Sequence, residues 1–171
     1  TSGNSSVLSF AQERLWFIEQ YEEGTNAYHI PTVLELAADT DIGGIKYALQ
    51  QIVSRHEVLR STIVQGDSEH GIQIVHEEPL DIEEVELREG ADLEMHLKAD
   101  INRSFDLSSS YPIRVKFYRM RCGVSESVDR TVLLLNVHHI ASDGWSGGIF
   151  QKELIGYYEA YVREDMEFSL P

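Results

Sequence analysis

Apolar residues recur along this chain with a helical period in some stretches and a strand period in others. The opening Thr1 to Ser6 is small and polar, and residues 1–8 read as a flexible leader. Ser9 and Gln12 have the spacing of a capping box, which satisfies backbone donors at a helix start, and Ala11, Leu15 and Ile18 then share one face. Gly24 and Asn26 interrupt that pattern, and Ile30 to Ala37 reads as a strand. Asp41 can cap a second helix bearing Ile42, Ile45, Leu49 and Ile52. Arg60 to Val64 and Ile72 to Val75 read as two strands joined through a polar loop with Gly66 and Gly71. Glu83, Val85 and Leu87 suggest a further strand, and Leu93, Leu97 and Ile101 a third helix. Ile113, Val115 and Phe117 alternate with Arg114, Lys116 and Tyr118, as in a half-buried strand. Thr131 to His139 is apolar and rich in β-formers, which suggests a central strand. Phe150, Leu154, Tyr157 and Tyr161 return to helical spacing. Interspersed helices and strands of this kind predict an α/β unit, helices packed on a mixed β-sheet in two layers. Pro31, Pro79 and Pro112 fall at strand starts or loops, where a missing amide donor does no harm.

Composition narrows the function classes. The chain has 171 residues, 42% of them hydrophobic, enough for one sizeable core. Its net charge of -15 repels phosphate backbones and anionic headgroups, which argues against nucleic-acid and membrane-surface partners. Cys122 is the single cysteine, so no intramolecular disulfide can form. No apolar run approaches the roughly 18 residues of a spanning helix, and the first residues lack a signal-peptide pattern. A cytoplasmic protein is expected.

The segment Asn136-Val137-His138-His139-Ile140-Ala141-Ser142-Asp143-Gly144-Trp145-Ser146 carries the most chemistry. Side chains alternate across a strand, so His138 and His139 cannot both face one reaction centre while the strand lasts. One imidazole can exchange protons near neutral pH, and the other anchors it. Asp143-Gly144 makes a tight turn in which glycine accepts conformations closed to other residues. Other readings of the same residues stand beside this one. A histidine at a strand end can be a hydrogen-bonded structural group, and Asp143 can cap the helix that follows. Two histidines on opposite faces with no cysteine-rich partner make a poor zinc site. The residues by themselves point to an acid–base site and leave the reaction undecided.

His138-His139 followed by Asp143-Gly144-Trp145-Ser146 resembles the His-His-x-x-x-Asp-Gly motif of nonribosomal peptide synthetase condensation domains. Two further segments agree in order. Leu8-Ser9-Phe10-Ala11-Gln12-Glu13-Arg14-Leu15-Trp16 resembles the family's first motif, and Arg55-His56-Glu57-Val58-Leu59-Arg60-Ser61 its second, with Ser61 where threonine is usual. Phe105-Asp106-Leu107 and Pro112-Ile113-Arg114 are also typical of these domains.

The resemblance implies one lobe of a chloramphenicol-acetyltransferase-like fold, in which two similar lobes form a V around a tunnel. Residues 9–171 would be the N-terminal lobe, with the C-terminal lobe absent. In the family, upstream and downstream peptidyl carrier domains bring a donor acyl or peptidyl thioester and an acceptor aminoacyl thioester on phosphopantetheine arms, and an amide forms. No cofactor and no metal is expected in the domain itself. His139 would face the tunnel and orient or deprotonate the amine, and His138 would support the strand end. Asp143 would pair with Arg55 and lock the turn, with Arg60 the weaker alternative partner. Gly144 would let a pantetheine arm pass or donate its backbone N–H to an oxyanion, and Arg14 and Trp16 would be scaffold residues. The alternatives are an epimerization domain, which shares the doubled histidine, and a catalytically silent fragment that only binds a carrier or the missing lobe. A heterocyclization domain is disfavoured because it replaces the doubled histidine.

Overall fold

The described strands form two sheets. A computed structural model describes residues 5–8, 12, 29–66, 71–121, 130–141, 147–165, 167, 168 and 170. The larger sheet runs β2-β7-β6-β5, built from β2 (His29–Leu36), β7 (Arg130–His138), β6 (Ile113–Met120) and β5 (Ile82–Leu87). It is mixed, because β5 runs parallel to β6 and the other pairs are antiparallel. The smaller sheet runs β1-β4-β3, from β1 (Ser5–Val7), β4 (Gly71–Val75) and β3 (Ser61–Gln65). The helices are α1 (Ile42–Arg55), α2 (Leu93–Asn102) and α3 (Gly147–Val162).

Helices α1 and α3 cover one face of the larger sheet. Ile45, Ala48, Leu49, Ile52 and Val53 of α1 and Phe150, Leu154 and Tyr157 of α3 close on Ile113, Val115 and Phe117 of β6 and Leu133, Leu135 and Val137 of β7. Asp41 caps α1 as expected, its carboxylate accepting from the Gly44 amide at 3.3 Å. The helices approach closely at Gly44, where a Cβ would lie 2.9 Å from the Tyr158 ring. Helix α2 covers the opposite face, with Leu93, Leu97 and Ile101 over Tyr118, Met120, Val132 and Leu134. The strand predicted as half-buried is therefore covered on both sides, and Tyr118, expected to face water, is fully buried. Its hydroxyl donates to Asp100 on α2, which also pairs with Lys116 at 3.1 Å. A polar tip on an apolar ring let the sequence be read as an outward position.

The mixed sheet with packed helices is thus present, with α2 as an added layer. Ser5–Val7, read as part of a leader, pairs instead with Ile72–Ile74, and Leu8 is buried beside Ile63, Phe105, Leu107 and Ile140. The small side chains of Ser5 and Ser6 hid a strand whose backbone does the pairing. The helix expected from Ser9 lies outside the described residues except for Gln12, which is helical.

Candidate active site

Strand β7 is the most buried strand of the sheet and ends at His138, one residue earlier than expected. His139 opens a 3-10 turn, His139–Ala141, and the two histidines separate completely in environment. His138 is 0% exposed, whereas His139 is exposed. The Ile140 amide donates to Nδ1 of His138 at 3.0 Å, so that nitrogen is bare and the ring proton sits on Nε2. The backbone N–H of His138 donates to the Pro112 carbonyl at 2.8 Å. The ring stands edge-on to Phe105, with centroids 5.7 Å apart, and beside His29 at the same centroid distance. His138 Nδ1 therefore braces the turn, and His139 is the residue that turn presents.

The supports of the turn come from distant sequence. Gln12 donates its side-chain amide to the Ile140 carbonyl at 3.4 Å, so the first motif touches the turn that follows His139. Phe105 carries the guanidinium of Arg114 on its ring, 4.0 Å from the centroid. Arg114 in turn donates to the carbonyls of Ser104 and Arg103, and burial lowers its pKa to about 10, with Arg103 adding repulsion. Phe105 and Arg114 also form part of the wall of a cleft of about 570 Å³ that includes neither His138 nor His139. The C-terminal carbonyl of Ile101 in α2 accepts from His29 Nδ1 at 3.3 Å and from the Asn136 amide at 3.4 Å, which docks α2 beneath the same strand end.

Asp143 and Gly144 lie outside the described residues, as do Arg14, Trp16 and Cys122. Arg55, expected opposite Asp143, is described, and it holds a partner that the sequence reading missed. Its Nε lies 3.1 Å from Glu153 Oε1, and one terminal nitrogen donates to the Leu170 carbonyl at 2.6 Å. His56 Nε2 meets the other oxygen of Glu153 at 2.6 Å. Glu153 is 5% exposed although its side chain is a carboxyl group. The signal was available: Glu153 falls on the same helical stripe as Phe150, Leu154 and Tyr157, where a carboxylate is out of place unless paired. Arg60 is engaged elsewhere, donating to the carbonyls of His76 at 2.8 Å and Ser54 at 3.3 Å.

Among the described residues, no helix is long and apolar enough to cross a membrane. No cluster of three or more His, Cys, Asp or Glu among them is placed to hold a metal. Chemically, the arrangement offers one accessible imidazole on a braced turn.

Known proteins are similar to this chain in sequence and fold. The chain is 36% identical over 167 residues to a linear gramicidin synthase of Brevibacillus parabrevis, covering 92% of this chain and 3% of that synthase. Among solved structures, it resembles the X-domain of teicoplanin biosynthesis, solved in complex with OxyB, at 28% identity and a TM-score of 0.79 over 100% of this chain and 36% of that one. The fold also matches the starter condensation domain of rhizomide synthetase, at 18% identity and a TM-score of 0.76, over 94% of this chain and 38% of that one. The chain thus spans a small part of the synthase it matches and under two-fifths of each of these two solved domains. The condensation domain family model matches residues 3–168, and the chain belongs to that family, the condensation domains of nonribosomal peptide synthetases.

Proposed function

We propose that this chain is the histidine-bearing N-terminal lobe of a domain that joins a donor acyl or peptidyl thioester to the amine of an acceptor aminoacyl thioester, both delivered by carrier domains. The reading is supported above all by the division of labour at the end of β7, where His138 is sealed and His139 is exposed on a braced turn. The remainder of the tunnel would come from a C-terminal lobe, in keeping with the share of the solved domains that this chain covers.

The reaction asks little of the protein in covalent terms. A thioester is already activated, so no enzyme-bound acyl intermediate is required. The amine must be neutral to attack, and a free α-amino group has a pKa of roughly 7.7–8.0. What remains is to align two tethered reactants, to receive a proton and to stabilise a developing oxyanion. His139 orients the amine and can take its proton as the amide C–N bond forms and the donor thioester C–S bond breaks, the donor carrier's pantetheine leaving as the thiol. His138 holds the turn, Gly144 gives close approach or an N–H to the oxyanion, and Asp143 pairs with Arg55 behind the turn. No bound cofactor takes part, since the pantetheine arms belong to the carriers.

The likeness to the X-domain solved with OxyB favours a second reading, recruitment of a partner protein without turnover. One experiment separates these readings. Upstream and downstream carriers are loaded with distinct amino acids in the intact synthetase, and the thioesters are analysed by chiral mass spectrometry. A dipeptide on the downstream carrier is the expected result. Inversion of a single aminoacyl centre without amide formation would show an epimerization domain, and no change on either carrier would favour recruitment. The 171-residue chain on its own is expected to release no dipeptide from two loaded carriers.

A further inference from the structure

We infer that His29 is a positioning residue of the His139 site, its ring walling in the imidazole of His138 and so fixing the turn that presents His139. The inference rests on the condensation reading and adds to it a residue that lies in none of the three motifs. The need for a wall follows from the histidine side chain itself. Rotation of an imidazole about its bond to Cβ is soft and roughly two-fold, so that torsion does not decide which edge of the ring faces a given neighbour. The brace on the turn depends on that choice, because Nδ1 of His138 must meet the Ile140 amide at 3.0 Å. A hydrogen bond weakens steeply as its angle falls toward about 120°, and a flipped ring would turn a carbon to the amide instead. The neighbours of His138 must therefore hold the ring.

Two rings do so. Phe105 stands edge-on to His138 at an interplanar angle of 88°. His29 lies directly opposite His138 in the register of β2 and β7, where paired side chains share a face. Its ring centroid is 5.7 Å from that of His138, with the planes tilted by 58°. His29 also meets Phe105 edge-on, at 4.8 Å between centroids and 85°. The three rings thus form one cluster in which each touches the other two, and His29 within it is only 9% exposed. His29 is anchored in turn, because its Nδ1 donates to the Ile101 carbonyl at the end of α2 at 3.3 Å. Contacts run without a break from α2 through His29 to His138, and from His138 to Ile140, the residue after His139. Without the His29 ring, His138 loses one of two walls and gains room to rotate, and the turn loses its brace.

The test uses His29→Ala, which removes the wall, and His29→Phe, which restores a ring without the donor to Ile101. Dipeptide formation is followed in the intact synthetase, and the ring signals of His138 and His139 are followed by NMR in this chain labelled with ¹³C,¹⁵N-histidine. For His29→Ala the expected result is a fall in kcat of about 10- to 100-fold, the size of effect that a misplacement near 1 Å produces, with KM unchanged. At a temperature where the variant is fully folded, the His138 Nδ1 signal should lose the shift of a hydrogen-bonded nitrogen, and the His139 signals should move or broaden. His29→Phe should recover most of the lost kcat and return both sets of signals toward wild type. Wild-type kcat in a folded His29→Ala would overturn the inference. Lost activity with unmoved His138 and His139 signals would do the same, as the mark of a packing role alone, and so would a phenylalanine variant no better than alanine. If His29→Ala does not fold, His29→Asn, which keeps a donor for Ile101 but no ring, decides by the same criteria. A wild-type synthetase that makes no amide would count against the condensation reading, while the His138 and His139 signals would still judge the role of His29.

Discussion

Replacing His138 by leucine should destabilise the chain by about 2–4 kcal/mol while leaving the accessible imidazole next to it chemically intact. The magnitude follows from what the ring does. Its Nδ1 accepts the buried Ile140 amide at 3.0 Å, and leaving such a donor unsatisfied costs about 1–3 kcal/mol. Its edge contact with Phe105, at 5.7 Å between centroids, adds about 0.5–1.5 kcal/mol beyond simple burial. Leucine is close to histidine in volume, so little cavity or overpacking is added. For a domain of this size, each kcal/mol moves Tm by about 2–4 °C, which gives a fall of roughly 5–15 °C. Urea denaturation checks the free energy and calorimetry the temperature. His138→Asn is the control, because its side-chain oxygen can stand where Nδ1 does and accept the Ile140 amide. It should recover about half of the loss. A leucine variant within about 0.5 kcal/mol of wild type, or an asparagine variant no better than leucine, would show that the Ile140 amide does not depend on His138.

Other parts of the structure give independent checks. Gln50 donates to the Leu80 carbonyl at 2.7 Å and accepts the Leu80 amide at 2.9 Å, so Gln50→Ala should cost about 1–3 kcal/mol by urea denaturation, since it strips both partners at once. Asp100 is held below its usual carboxylate range: burial pushes it up, but the Tyr118 hydroxyl and the Lys116 ammonium outweigh that. A depressed folded pKa gives stability that is present above the unfolded value near 3.9 and lost as pH falls through the folded one. Unfolding free energy should therefore drop on acidification below about pH 4, and Asp100→Asn should flatten part of that drop. Arg114→Met removes the guanidinium from the Phe105 ring and two hydrogen bonds to carbonyls, and should lower Tm by several degrees without removing the exposed His139.

How much of this was legible in the sequence depended on whether one residue's period decided its environment. The strands at Val85, Val115 and Leu133 and the helices at Ile45, Leu97 and Leu154 were readable because their apolar spacing is imposed by the layers they pack between. β1 was not readable, since its pairing with β4 is carried by backbone groups that any side chain supplies. Tyr118 was misplaced because its partner, Asp100, lies on a helix 18 residues away in sequence. At the site, alternation along β7 predicted that the two histidines would part, and they do, although the strand stops before His139 rather than after it. Motif order brought Arg55 to attention, but a charge on the inner face of α3 was the sign of its partner Glu153 and went unused. The contact from Gln12 to Ile140 spans 128 positions, and no local pattern encodes such a distance.

In the proposed reaction His139 is the group that meets the reacting amine, and rapid-quench single-turnover kinetics of the intact synthetase with His139→Ala tests that role. An exposed side chain on a turn braced by its neighbour contributes little to folding. The variant is therefore expected to melt with wild type and to form the dipeptidyl thioester at least about 100-fold more slowly. A folded variant that condenses its loaded carriers at the wild-type rate would rule out that role for His139.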